Sequence, residues 1–114
     1  MRPGYLAGYP ERKPKVPASI IQTLVRQAAR WSTAARQDNN SMISVLHANY
    51  GTGYLWALQD IANSKEIEKA SGIDWKKFKD EIVATQDAAT KKMARLCPKW
   101  KPQTSYLTKV GGEG

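Results

Sequence analysis

Cysteine, histidine and phenylalanine each occur once in this chain. A single thiol, Cys97, excludes an intrachain disulfide framework. One histidine and one cysteine do not fill a tetrahedral metal site without several carboxylates, so no metal and no cofactor is expected. Acids are scarce too, with 10 Asp and Glu against 18 Lys and Arg. No apolar run approaches the ~18 residues of a membrane-spanning helix, so no membrane span is expected. The opening segment, MRPGYLAGYPERKPKVP, holds charge but no apolar stretch of signal-peptide type. Its four prolines are wrong for an amphipathic presequence. Strand alternation and internal repeats are missing.

What remains is 114 residues, 41% hydrophobic, with a net charge of +8. That suits one domain with a modest core. The charge is polarised along the chain. Residues 1–17 and 18–37 each carry +3, residues 38–74 carry −3, residues 75–97 carry +3 and residues 98–114 carry +2. Such a field favours polyanions or acidic protein surfaces.

The pattern predicts an all-α fold. Residues 1–17 form an extended arm, because Pro3, Pro10, Pro14 and Pro17 suppress helix. A first helix is expected over 18–37. Its apolar stripe is Ile20, Ile21, Leu24, Val25, Ala28, Trp31, Ala34 and Ala35. A second is expected over 41–62, behind the capping turn Asp38-Asn39-Asn40. Asn63 with Glu66 has capping-box spacing, opening a short helix over 64–70 that stops at Gly72. Asp74 then caps a last helix over 75–96. Its seam is Trp75, Phe78, Ile82, Thr85, Ala89, Met93 and Leu96. Cys97, at that helix end, is expected to be a half-buried small hydrophobe.

The second helix holds the most distinctive run, HANYGTGYLWALQDI. An interior glycine costs a helix roughly 1 kcal/mol against alanine, and this run carries two. Met42, Val45, Leu46, Asn49, Gly53, Trp56 and Ala57 are expected on one face. Ile43, His47, Tyr50, Tyr54, Leu58 and Ile61 are expected on another. Two apolar faces imply a central helix flanked on both sides. Gly53, Trp56 and Ala57 are the expected helix-packing residues, with Gly51 able to kink the helix. His47, the one residue suited to acid–base chemistry near neutral pH, is read as a hydrogen-bonded core histidine. Its catalytic reading would pair it with Tyr50, Tyr54 or Asp60, with no nucleophile motif nearby. The Gly51–Gly53 GTG lies inside a helical pattern without a following lysine, unlike a phosphate loop.

Two further sets complete the reading. Arg26, Arg30, Arg36, Lys76, Lys77, Lys79, Lys91, Lys92 and Arg95 are candidates for polyanion binding. Acids interleave among the lysines of the last helix, as in Lys79-Asp80-Glu81, which speaks against a dedicated DNA groove. Tyr5, Leu6 and Tyr9 in the first arm, with Trp100, Tyr106 and Leu107 in the tail 98–114, are apolar anchors for protein interaction. A catalytic constellation is not found.

The stretches LVRQAARWSTAARQD (Leu24–Asp38), VLHANYGTGYLWALQDIA (Val45–Ala62) and GIDWKKFKDEIVATQDAATKKMARLCP (Gly72–Pro98) together resemble small uncharacterised helical proteins of large double-stranded DNA viruses. The resemblance covers about residues 18–98 and neither arm. It implies a virus-encoded helical protein associated with the virion, whose extended termini tie neighbours together. The expected architecture is a three-helix up-down bundle with a short additional helix over residues 18–97, between extended arms at 1–17 and 98–114. The expected function is a non-enzymatic structural protein within a larger assembly of other proteins. The alternative is a basic nucleic-acid-binding or packaging protein using the first and last helices.

Overall fold

The structure, a computed structural model, describes residues 16–99 and residue 110. The proposed anchors Tyr5, Leu6, Tyr9, Trp100, Tyr106 and Leu107 lie outside the described residues. The described residues are helical, with no strand among them, in four segments: α1 (Ala18–Gln37), α2 (Ser41–Ile61), α3 (Ser64–Ser71) and α4 (Trp75–Leu96).

Each boundary has a chemical cause. Pro17 precedes α1, and its carbonyl accepts from the Ile20 and Ile21 amides. The Asn40 side chain accepts from the Met42 and Ile43 amides at 2.9 and 3.0 Å and so opens α2. Asn63 and Glu66 exchange both bonds of a capping box at the start of α3. Gly72 closes α3 with φ at 76°, a left-handed conformation in which a Cβ would be strained. Asp74 caps α4 by accepting from the Lys77 amide.

Helix α2 packs against α1 and α4, while α1 also touches α3 and α4. The core changes character along this stack. At the α3 end it is bulky, with Ile21, Val25, Leu58 and Ile67 backed by Val16, Trp75 and Phe78. The middle joins Ala28, Leu55 and Ile82. Near the α1–α2 turn it is built of Ala35, Val45, Ala48 and Ala89. Alanine on three helices lets their backbones come close there, so that end relies on close packing of small groups. Leu55 and Leu58 are completely buried. Each contributes about 2 kcal/mol of hydrophobic stabilisation.

Several expected core positions are corrected. The buried column of α2 is Val45, Ala48, Gly51, Thr52, Leu55 and Leu58. Met42, Leu46, Asn49, Gly53 and Trp56 from one expected apolar face are exposed. So are Ile43, Tyr50 and Ile61 from the other. The expected faces flank the true one. Gly51 produces no break, and α2 is continuous through it. Ile20 and Leu96 are also exposed, while Ser32 in α1 is buried. Cys97 is exposed because it caps α4 one turn past Met93, the last residue packed on the core.

Candidate functional site

Gly51 and Gly53 separate the two sides of α2. A Cβ on Gly51 would collide with the Ser32 hydroxyl and come within 3.1 Å of the Ala28 carbonyl oxygen. Gly51 therefore lies at a close approach of α1 and α2, where an added methyl would displace the Ser32 hydroxyl and press on the α1 backbone. A Cβ on Gly53 would meet nothing within 4 Å. Gly53 was the expected helix-packing glycine, and among the described residues it packs on no helix. The close approach lies two residues earlier.

Facing away from the core, α2 presents Ile43, Leu46, Tyr50, Gly53, Ala57 and Ile61 at intervals of three and four. Met42 lies beside this stripe and is 65% exposed. Trp56 also flanks it and is 44% exposed, which corrects its reading as an internal packing residue. Its ring lies 6.0 Å from the Lys79 ammonium, at the edge of an open groove that Val83 and Asp87 also line. No Lys or Arg occurs in residues 41–61, and Asp60 is the one acid. A helix with a single charge, and that one negative, in a chain of net charge +8 stands apart from its surroundings.

A second cluster sits at the α1–α2 turn. His47 Nδ1 lies 2.7 Å from Asp38 Oδ2, and both side chains are 22% exposed. A carboxylate only accepts, so the imidazole donates through Nδ1, which fixes that side of the ring. Trp31 lies 5.0 Å from His47 between centroids and meets Tyr50 edge-on at 5.3 Å. Arg30 covers the Trp31 ring at 5.5 Å. His47 is thus hydrogen-bonded and half-buried, but its partner is Asp38, the C-cap residue just past α1. Helical spacing within α2 points instead to Tyr50, Tyr54 or Asp60. The available signal was a short turn: nine residues that include a helix–turn–helix corner bring a C-cap residue beside the second turn of the next helix. The Ser44 hydroxyl reinforces the corner by donating to the Ala35 carbonyl at 2.7 Å. The dyad orients an imidazole, and no nucleophile is in hydrogen-bond contact with that imidazole among the described residues. The described residues also hold no metal-binding group of three or more His, Cys, Asp or Glu.

The basic residues do not converge. Arg36 donates through Nε to Thr85 Oγ1 at 2.9 Å and lies 3.8 Å from Glu81. Lys76 pairs with Asp80 at 2.7 Å, and Lys91 with Asp87 at 2.9 Å. Asp80 raises the Lys76 pKa above its usual value, through its hydrogen bond first and its charge second. Arg26 is engaged locally with Thr23. Arg30, Lys77, Lys92 and Arg95 are exposed. From Lys76 to Arg95 the cations are spread over roughly 29 Å of α4.

No known protein family matches the chain, nor does any curated protein or any solved structure. The surface itself therefore carries the functional argument. Among the described residues no helix is long and apolar enough to cross a membrane. The outer stripe of α2 belongs to a helix whose opposite side is already packed against α1.

Proposed function

We propose that the protein is a non-enzymatic structural or interaction protein, held in a larger assembly and suited to a minor virion or capsid-associated role. The observation that carries this reading is the outward row of Ile43, Leu46, Tyr50 and Ile61 on a helix without lysine or arginine. Contiguous exposed apolar side chains of this kind mark association surfaces, and tyrosine and tryptophan are frequent anchors there. In this reading α1, α2 and α4 form a three-helix up-down bundle, and α3 is its short additional helix. The anchors Tyr5, Leu6, Tyr9, Trp100, Tyr106 and Leu107 tie the arms to neighbouring subunits.

The test is native-size fractionation of extract from cells that make the protein. The protein should run with a particle far larger than its own 12.7 kDa. Leu46→Lys should move it into the small fraction. A wild-type protein found free at its own mass overturns the proposal.

A second reading, binding or packaging of nucleic acid through α1 and α4, is favoured by the exposed Arg30, Lys77, Lys92 and Arg95. Affinity for duplex DNA or RNA would then fall steeply between roughly 50 and 200 mM salt. A salt-independent affinity removes it.

A further inference from the structure

We infer that the outer stripe of α2 pairs with the same stripe of a second copy of this chain, antiparallel, about a twofold axis level with Gly51 and Thr52. This rests on the interaction role above and names the partner. Ile43, Leu46, Tyr50, Gly53 and Ala57 follow one another at three, four, three and four residues, which is the spacing of a two-helix seam. Under an antiparallel twofold centred between residues 51 and 52, Leu46 falls opposite Ala57 and Tyr50 opposite Gly53. These two central layers each set a large side chain against a small one, which lets the backbones approach at the middle of the seam, while Ile43 falls opposite Asp60 at its margin. Met42 falls opposite Ile61 and closes each end.

Among the described residues the Gly53 side of α2 is open to receive the tyrosine, since none of them stands within 4 Å of its Cβ position. Tyr50 is already oriented, because its ring packs edge-on against Trp31. That lowers the entropy lost on insertion. Charge points the same way. A nucleic acid or an acidic surface would be met by cations, yet residues 41–61 contain none. A neutral seam lets two chains of net charge +8 meet where neither carries a lysine or arginine.

The seam is about 29 Å long from Met42 to Ile61 and one helix wide, a small contact beside a standard interface. Pairing through so small a contact is expected to be weak and reversible. Salt strengthens it, because ions screen the repulsion between like-charged chains while the contact itself is apolar. Nucleic-acid binding has the opposite salt dependence.

The experiment is sedimentation equilibrium of the purified full chain over roughly 5–500 μM, at low and high salt. A monomer–dimer equilibrium that tightens with salt is expected. Gly53→Lys should weaken it at least tenfold with unchanged helical circular dichroism, since that position is open. Register is read by cross-linking in a Cys97→Ser background. A mixture of Leu46→Cys and Ala57→Cys chains should form the mixed disulfide. Leu46→Cys alone should not, because its two copies lie roughly 16 Å apart along the seam. A chain that stays monomeric throughout, a dimer indifferent to Gly53→Lys, or a Leu46→Cys self-cross-link overturns the inference. If such a monomer still fractionates with a large particle, the self-pairing is wrong and the assembly role stands. If the chain dimerises yet runs free of any particle in extract, the self-pairing stands and the assembly role is wrong.

Discussion

The inner and outer sides of α2 are drawn from one sequence of small and aromatic residues, yet they behave as different materials. Inside, Gly51 is small because α1 leaves little room for more, and Ala48, Thr52, Leu55 and Leu58 are buried around it. Outside, Gly53 is small with no such pressure from any described residue. The same residue type therefore has opposite meanings two positions apart. At Gly51 smallness is demanded by the fold. At Gly53 the fold gains nothing from it, since glycine weakens a helix. A residue that costs stability without serving packing points to a demand from outside the molecule.

Substitutions can break or sharpen this contrast when stability is measured by chemical denaturation at dilute concentration. The largest effect belongs to Leu55→Ala, which empties a fully buried site and should destabilise by about 3–4 kcal/mol. A loss below about 1 kcal/mol would show that the inner side is not the main core. Gly51→Ala follows, at about 2 kcal/mol destabilising, because the new methyl forces α1 and α2 apart against its gain in helix propensity. A neutral outcome would remove the argument for close approach at that position. Gly53→Ala should do the reverse, stabilising the isolated chain by about 0.5–1 kcal/mol while weakening its self-association. If both glycines respond alike, the contrast is lost. The smallest effect is expected for Ser32→Ala. The Ser32 hydroxyl is buried without a hydrogen-bond partner, so its removal should be neutral or stabilising by up to about 1 kcal/mol. A clear loss of stability would mean that the hydroxyl is satisfied in solution.

The helix positions were legible in the sequence because their ends are fixed by local chemistry. Asn40, the Asn63–Glu66 box, Gly72 and Asp74 act within three or four residues of themselves, and no distant contact competes with them. The orientation of α2 was not legible. Apolar residues surround most of that helix, so periodicity yields no single direction, and the large aromatics drew the expected faces toward Trp56 and Tyr50. The true inner column contains Gly51 and Thr52, which read as polar or helix-weakening in isolation. Thr52 belongs in the core because its hydroxyl donates to the Ala48 carbonyl of its own helix. Thr85 does the same toward Glu81 in α4. A column of small and hydroxyl residues was thus the available signal for the packed side. The pairing of His47 with Asp38 needed the geometry of the α1–α2 corner, which spacing along one helix does not contain. The polyanion reading met a similar obstacle, since the pairing of Arg36 with Glu81 depends on how α1 lies against α4.

Val16 has a mechanical consequence. It packs against the cluster of Ile21, Val25, Leu58 and Ile67, one residue before a proline whose ring restricts the backbone. A pull on the chain ahead of it therefore does not peel α1 from its first turn. The load enters at a side chain wedged into the bulky end of the core and spreads at once to α1, α2 and α3. Force applied at Val16 is thus received by the bulky end of the core rather than by the first turn of α1 alone.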